Sequence, residues 1–337
     1  MIVPIVPHSC LPTRRQAMSI LGGAAASASV IGSLGRASAA TSISFGAPRI
    51  PHYAAAWLVR DYMPAELTVE LVEFKAGAEM VTALVSGSVD VGAIGYWHLI
   101  RLLDQGVDVE AVAGLASGGT RLVVRKGLAV KDWADLKGKT CAVMRGSIQD
   151  VQFLMALKKH GLTPADVNYR DLGSNLAVHW TALQQGEIDA SAMTEPFASK
   201  IIQEGLAYQF STLYDDSFRI NGVVVARSGF IKANPSAVKA IASALVKSTD
   251  RLNGNSTEFV DFTAKLSGFS PDVMAMAVQN VMLDYNMPEQ EARRVASAVH
   301  EFGYAQSDVG AQLGKALNYS FLSEVTGKSP KALGAQQ

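Results

Sequence analysis

Two ten-residue stretches of this sequence decide its fold because they resemble each other closely: Thr82–Val91, TALVSGSVDV, and Thr181–Ala190, TALQQGEIDA. They align without a gap at an offset of 99 residues, with five identical positions and a conservative pair at Val89 and Ile188. In each copy an apolar helix pattern is followed by a glycine stop and then by a strand that starts at an aspartate. An offset this long does not indicate a solenoid. It predicts two similar α/β lobes, with chance similarity of two helix ends as the competing interpretation.

Strand patterns alternate with helix patterns on both sides of this repeat, from residue 43 to about 226. Such alternation is typical of βα units packed around mostly parallel sheets. Beyond about residue 234 the pattern changes to consecutive helices, which we expect to cover a sheet without adding strands. Their methionines Met274, Met276 and Met282 are predicted to fill the core. The predicted strands lie near 43–47, 68–74, 90–95, 109–115, 120–125, 139–144, 167–172, 188–193 and 222–227.

The charge balance excludes one class of partner. The chain holds 30 basic and 30 acidic residues, and charged residues make up 18% of it, against roughly 25% in soluble domains. There is no basic field that could grip a phosphate backbone, so we expect no nucleic-acid partner. Cys10 lies near the amino terminus and Cys141 in the body, so a chain that loses its first 40 residues keeps one thiol and no internal disulfide.

The first 40 residues form a separate segment. Arg14 and Arg15 precede an apolar run diluted by Gly, Ala and Ser, and Ala37-Ser38-Ala39-Ala40 ends it. This segment resembles a bacterial twin-arginine export signal with cleavage after Ala39 or one residue later. A membrane-spanning helix is the alternative, but the run is too polar and too short for it. We therefore expect the mature chain to work outside the cytoplasm.

No catalytic or metal-binding motif stands out. The sequence contains no G-x-S-x-G, H-E-x-x-H, Walker A or C-x-x-C pattern, and its histidines are scattered without an i, i+4 pair. We expect neither a metal nor a cofactor. The sequence predicts a binding protein rather than an enzyme.

Several short segments, taken in order, carry a resemblance to a known family. The chain resembles a substrate-binding protein of the nitrate/sulfonate/taurine/thiamine-precursor group of ABC importers, over roughly residues 43 to 320. Each motif is weak alone, and their order and spacing make the match fairly specific. The carrying segments are VEFKAGAE at 72–79, ALVSGSVDVG at 83–92, DLKGK at 135–139, RGS at 145–147, GEIDA at 186–190 and TEPF at 194–197.

The resemblance implies a domain organisation. It implies a type II-like periplasmic-binding-protein fold, with two α/β lobes, each on a mostly parallel sheet flanked by helices, joined by two crossing strands around a ligand cleft. Mapped onto this chain, lobe 1 is discontinuous and comprises 41–130 and 222–325, and lobe 2 comprises 131–221. Residues 1–40 are the signal peptide and 326–337 a C-terminal tail.

Candidate ligand-binding residues of lobe 1 lie in loops that follow strands, where ligands of open α/β sheets bind. Each has a structural alternative: the first pair could cap a helix, Trp97 could be core packing and Ser117 part of a plain turn. Ala78 stands where the family often has a hydroxyl residue or proline, which weakens any inference about the ligand from that loop. These candidates are His52, Tyr53, Gly77, Ala78, Tyr96, Trp97 and Ser117.

The strongest anion site is predicted in lobe 2. Arg145, Gly146 and Ser147 stand at a strand-to-helix junction, so free amides and the positive helix end should face the cleft. The guanidinium group of Arg145 could donate two parallel hydrogen bonds to a carboxylate or sulfonate, or Arg145 could be a solvated surface residue. Glu195 is usual for the family, so it does not argue for a cationic ligand. Further lining candidates are Gln149, Asp150, Glu195, Pro196 and Asn221.

Three functions remain open from the sequence. The leading hypothesis is a monomeric periplasmic receptor that captures a small anion by lobe closure and presents it to the membrane permease subunits of an ABC importer. The anion is a sulfonate, taurine, nitrate or an aromatic or other organic acid, and Tyr53, Tyr96 and Trp97 favour an aromatic or bulky acid over nitrate. The second is a thiamine-pyrimidine-precursor binding or synthase-like protein. The synthases carry a cysteine-rich iron motif, which this chain lacks. The third is a ligand-sensing subunit of a membrane kinase.

Overall fold

A computed structural model describes residues 41–75 and 77–336, so the predicted signal peptide lies outside the described residues. In that part of the chain no helix is long and apolar enough to cross a membrane. The strands are β1 Thr41–Ala47, β2 Leu67–Glu73, β3 Val91–Gly95, β4 Val109–Gly118, β5 Thr120–Arg125, β6 Thr140–Val143, β7 Asn168–Asp171, β8 Ala190–Thr194, β9 Ala207–Thr212, β10 Ile220–Arg227 and β11 Val281–Leu283.

Helices cover both faces of the strands. They are α1 Ala54–Trp57, α2 Gly77–Ser86, α3 Tyr96–Asp104, α4 Ile148–Lys159, α5 Leu176–Gln185, α6 Phe197–Gln203, α7 Leu213–Asp216, α8 Ser228–Ala233, α9 Pro235–Gly254, α10 Ser256–Ser267, α11 Pro271–Val278, α12 Glu289–Glu301, α13 Gly310–Ala316 and α14 Ser320–Thr326.

The strands form two separate sheets. One has the order β11-β4-β10-β3-β1-β2 and the other β7-β6-β8-β5-β9. We call the parts built on the six-stranded and five-stranded sheets the first and second lobe. Parallel pairing is confined to β1 with β2 and β3, and to β6 with β7 and β8. The other pairs are antiparallel, because the strands next to the crossings run against the βα units, so the expectation of mostly parallel sheets holds for only part of each sheet.

The sequence repeat corresponds to a repeat in structure. Helix α2 ends before Gly87 and leads to β3, and α5 ends before Gly186 and leads to β8, with both glycines at positive φ. Asp90 accepts a hydrogen bond from the Ser44 amide at 2.9 Å, and Asp189 accepts one from the Thr140 amide at 3.0 Å. Each aspartate thus ties its strand to the parallel strand beside it. The two lobes repeat one βα arrangement.

The chain crosses from the first sheet to the second at Gly118 and Gly119, which both have positive φ. It returns between Thr212 and Ile220. The sequence-based boundary at residue 130 placed β5 in the first lobe, but β5 pairs with β8 and β9 in the second sheet. The chain therefore changes sheets at this pair of glycines.

The late part of the chain is not purely helical. β11 pairs antiparallel with β4, and β9 adds an edge to the second sheet, and neither strand was predicted. Met274 is fully buried, as expected of core filler, whereas Met282 lies on β11 and is 41% exposed. The residues predicted as a tail also pack against the fold: Leu333 is buried and its carbonyl accepts a hydrogen bond from the Met287 amide at 2.9 Å.

Candidate functional site

Polar groups converge at the carboxyl end of β3, where the first sheet faces the second lobe. Gly95 marks the point: a Cβ there would stand 3.5 Å from His98 Nδ1, 3.7 Å from the Asn221 carbonyl oxygen and 4.0 Å from the Tyr53 hydroxyl. A side chain at this position would therefore be in van der Waals contact with all three groups, and glycine leaves room there for about one methyl group. The structure therefore brings together Tyr53 and Asn221 from the predicted site and adds His98.

Two histidines of this region are neutral, one of them fully buried (His52) and the other partly buried (His98). His52 Nε2 lies 3.3 Å from the Gly118 carbonyl oxygen, and burial lowers the pKa of His52 to about 4. Burial also lowers the pKa of His98 to about 4, with Arg101 adding to the effect. The Nδ1 atoms of both rings are buried and have no hydrogen-bond partner among the described residues. Because His52 Nε2 must carry the proton to donate to a carbonyl oxygen, His52 Nδ1 is an acceptor, whereas His98 Nδ1 can donate or accept.

The loop after β2 contributes through its glycine. A Cβ on Gly77 would stand 2.2 Å from His98 Cε1, so only glycine admits the imidazole at the start of α2. Ala78 is exposed, and its carbonyl oxygen accepts a bond from the Thr82 hydroxyl at 3.0 Å. Of the two predicted residues in this loop, Gly77 meets the site and Ala78 lies at its outer surface.

The two aromatic residues after β3, Tyr96 and Trp97, lie in different parts of the structure. Trp97 packs edge-on against Tyr304 with ring centroids 5.2 Å apart, and a Cβ on Gly146 would stand 3.6 Å from its ring. Trp97 thus forms part of the contact between the lobes. Tyr96 and Ser117 line a cavity in the first lobe beside the return crossing.

The predicted anion loop of the second lobe already holds a carboxylate. Ser147 caps α4 by accepting a bond from the Asp150 amide at 3.2 Å, as its sequence pattern predicts. The Gly146 amide donates to Asp150 Oδ2 at 2.8 Å, so it is not free for a ligand. Arg145 is exposed, with its guanidinium 5.2 Å above the Tyr169 ring, and its amide donates to Asp171 at 3.1 Å.

Asp150 joins the two lobes on one side of the cleft. Its carboxylate is fully buried and accepts hydrogen bonds from the Tyr169 hydroxyl of its own lobe and the Tyr304 hydroxyl of the first lobe. Burial raises the pKa of Asp150, against the lowering effect of these donors. The predicted lining residue Gln149 precedes it on α4 and is buried. We call this contact the α4 seam.

Glu195 joins the lobes on the other side. It is fully buried, pairs with Arg121, and accepts a bond from the Ser199 amide at 3.0 Å. Asn280 of the first lobe donates to its Oε1 at 3.2 Å. We call this contact the α6 seam. Both carboxylate oxygens of Glu195 are engaged by protein groups, and Pro196 follows it through a cis peptide bond at the start of α6.

The α6 seam predicts a pH dependence of stability. Burial raises the pKa of Glu195 from 4.5 to about 7, with Arg121 opposing the shift. The folded state therefore holds the proton more tightly than the unfolded chain, and this stability is complete below pH 4.5 and falls as the pH rises to about 7. The expected loss is about 3 kcal/mol, measured by urea unfolding across that range. Glu195→Gln should remove this part of the pH profile, and an unchanged profile would contradict it.

Several residues of this arrangement escaped the sequence analysis. Asn280 and Tyr304 come from segments far along the chain, and only the folded topology places them beside Glu195 and Asp150. Arg121 lies next to the crossing glycines, 74 positions before Glu195, and no motif links the two. The strand-exit rule did point to the segment that contains His98, whose imidazole was not singled out.

The site is built for binding by neutral donors. Arg121 and Arg101 are committed to Glu195 and to the Tyr304 carbonyl, so their charges are not directed at the open space beside Gly95. The His98 imidazole and the Tyr53 hydroxyl remain to donate to a small polar molecule, whereas the Gly146 and Asp150 amides at the start of α4 are already paired. In the described part of the chain, no group of three or more His, Cys, Asp or Glu is placed to hold a metal ion.

Comparison with known proteins identifies relatives of this arrangement. The sequence pattern described as the NMT1-like family matches residues 51–267, more than half of the chain. The taurine-binding periplasmic protein of Escherichia coli is 27% identical over 250 residues, which are 69% of this chain and 74% of the relative.

Two solved structures share the fold. The periplasmic aliphatic sulphonate binding protein SsuA from Escherichia coli superposes with a TM-score of 0.71 at 21% identity, over 82% of this chain and 97% of that one. The periplasmic nitrate-binding protein NrtA from Synechocystis superposes with a TM-score of 0.74 at 16% identity, over 88% and 91%. The predicted two-lobe periplasmic-binding-protein fold is confirmed.

Proposed function

Because the chain belongs to the NMT1-like family, we propose that it is the solute-binding receptor of an ABC importer, working in the periplasm after loss of residues 1–40. The name of the taurine-binding relative supports this role, as does the sequence-based export signal. The receptor would act as a monomer, bind without chemistry and without a cofactor, and deliver its solute to permease subunits.

Its ligand, in this proposal, is a small organic anion of the sulfonate class. The observation that carries the proposal is the buried Nδ1 atom of His98, which has no hydrogen-bond partner among the described residues and lies 3.5 Å from the position of a Cβ on Gly95. A neutral imidazole N–H can donate to an anion there, and no paired arginine has to leave its partner. Residues proposed to line the site are His52, Tyr53, Gly77, His98, Gly146, Ser147, Gln149 and Asn221.

We also propose domain boundaries from sheet membership. The first lobe would comprise residues 41–118 and 220–336, and the second 120–212. The crossing then lies at Gly119, and the binding site lies between the carboxyl ends of β1 to β3 and those of β6 to β8.

A ligand panel tests the function. We expect taurine or a short alkanesulfonate to raise the melting temperature in a saturable way, and His98→Ala to weaken that binding by about tenfold, since it removes a buried polar partner. His300→Ala is the matched control, because His300 is exposed on α12 and contacts only the Ala305 carbonyl. If sulfonates, carboxylates and nitrate all left the melting temperature unchanged, the result would contradict the proposal.

Tyr304→Phe tests whether lobe closure contributes to affinity. This change deletes the hydroxyl that Tyr304 donates across the α4 seam to Asp150 and leaves the ring against Trp97. Because the closed state loses a charge-assisted bond, the dissociation constant for the best sulfonate should rise about tenfold by calorimetry. Tyr285→Phe, which only frees Lys328 at the surface, should leave it unchanged. If Tyr304→Phe and Tyr285→Phe bound the sulfonate with equal dissociation constants, the α4 seam would not contribute to ligand affinity.

A further inference from the structure

A cavity lies in the first lobe beside the return crossing. It has a volume of about 220 Å³ and is lined by ends of β4, β10 and β11 and by the start of α12. None of the residues proposed above to line the ligand site is among those that line this cavity. Its polar and apolar walls are formed chiefly by Tyr96, Ser117, Met282, Asp284, Asn286 and Glu291.

The carboxylates of Asp284 and Glu291 provide hydrogen-bond acceptors in the wall of the cavity. Glu291 accepts the Arg219 and Ile220 amides on Oε2, at 3.0 and 3.1 Å. Asp284 accepts the Asn286 amide on Oδ1 at 2.9 Å. The second oxygen of each carboxylate has no protein partner in the part of the chain that the structure describes.

A buried hydroxyl provides an independent sign of a missing ligand. Tyr96 is 1% exposed and lines the cavity, and its hydroxyl has no hydrogen-bond partner among residues 41–75 and 77–336. The Asn286 Oδ1 atom, also buried, is unpartnered in the same sense. A buried polar group without a partner is costly, so its occurrence beside a cavity calls for a bound group. Both atoms can accept a hydrogen bond.

The charge at the cavity is negative. Arg219 is the basic residue in the lining, but its guanidinium pairs with Asp215 and lies 5.6 Å above the Tyr214 ring. The charge of the cavity lining is therefore determined by the carboxylates of Asp284 and Glu291, and it is negative. A metal ion is a poor match, since no cluster of three or more His, Cys, Asp or Glu suited to one occurs in the described chain.

We propose that this cavity binds a short primary ammonium group, held between Asp284, Glu291 and Tyr96. An ammonium has three N–H donors, which match the free carboxylate oxygens and the hydroxyl or amide oxygen. A short alkyl stem can lie against Met282 and Pro288, which also line the cavity. The site adjoins the return crossing, because Glu291 holds the amides of Arg219 and Ile220.

Thermal melting with matched salts tests this site. We expect n-propylammonium chloride to raise the melting temperature saturably, while tetramethylammonium chloride at equal ionic strength does not, because it has no N–H donor. Asp284→Asn, which keeps the acceptor for the Asn286 amide, should weaken propylammonium binding by about tenfold, and Tyr96→Phe by severalfold.

Asp261→Asn is the charge control, because Asp261 is exposed on α10 and is not one of the residues that line the cavity. It should leave propylammonium binding unchanged. Circular dichroism of each variant without ligand establishes that it is folded. A wild-type response to propylammonium no larger than that to tetramethylammonium, or equal binding by folded Asp284→Asn, would overturn the assignment.

Discussion

Replacing Glu195 by alanine is expected to lower the free energy of unfolding by about 3–5 kcal/mol at about pH 8, where the carboxylate is ionised. The reason is the partner that remains: Arg121 is only 4% exposed and would keep a buried charge without its counter-ion. Asn280 and the Ser199 amide would lose their acceptor as well. Urea unfolding measures the change.

A double replacement separates the charge from the packing. Changing Glu195 to leucine and Arg121 to methionine together removes both charges, and the stability should return to within about 1–2 kcal/mol of the wild type. Glu195→Gln is the intermediate case, because it keeps an acceptor for Asn280. A Glu195→Ala protein as stable as the wild type would show that the pair contributes nothing to the fold.

Gly119→Ala should have a comparable effect, for a steric reason. The residue has a φ of +78°, and a Cβ would stand 1.9 Å from His52 Nε2. An L side chain costs about 1–2 kcal/mol in that backbone region, and displacement of a fully buried imidazole adds to it, so we expect a loss of about 3 kcal/mol or more. Chemical denaturation and sulfonate affinity should both report it.

Gly127→Ala is the matched control, since Gly127 has a φ of +85° and no heavy atom lies within 4 Å of the position that a Cβ would take there. It should lose only the backbone cost of about 1 kcal/mol. In a His52→Ala background the cost of Gly119→Ala should fall to that of Gly127→Ala, because the clash is gone. If the cost stayed unchanged there, the imidazole contact would not be its cause.

The fold could be predicted largely because its signals are local. The helix, glycine and strand of each repeat copy follow one another along ten residues, and hydrophobic periodicity and glycine conformation act over that distance. Strand β11 was missed because it is only three residues long, and β9 because only the first of its six residues is buried, so no apolar run marks it. Met282 was placed in a helix for the same reason, whereas antiparallel pairing with β4 makes it part of a strand.

The site was less predictable because its contacts are not local. Strand-exit loops predicted Tyr53, Gly77 and Asn221, which the structure places around Gly95 and His98. The donors that reach Asp150 and Glu195 come from Tyr304 and Asn280, 154 and 85 positions later in the chain. Only the docking of the first-lobe helices on the second lobe brings them together.

The position of Cys141 offers a practical route to watching the protein move. This thiol is fully buried, and burial raises its pKa to about 12, so it should resist alkylation at neutral pH. Fluorophores could therefore be attached at Lys158→Cys and Glu301→Cys, exposed positions that face each other across the α4 seam, without removing the native cysteine. A change in energy transfer between such dyes on addition of a sulfonate would show whether the two lobes move relative to each other.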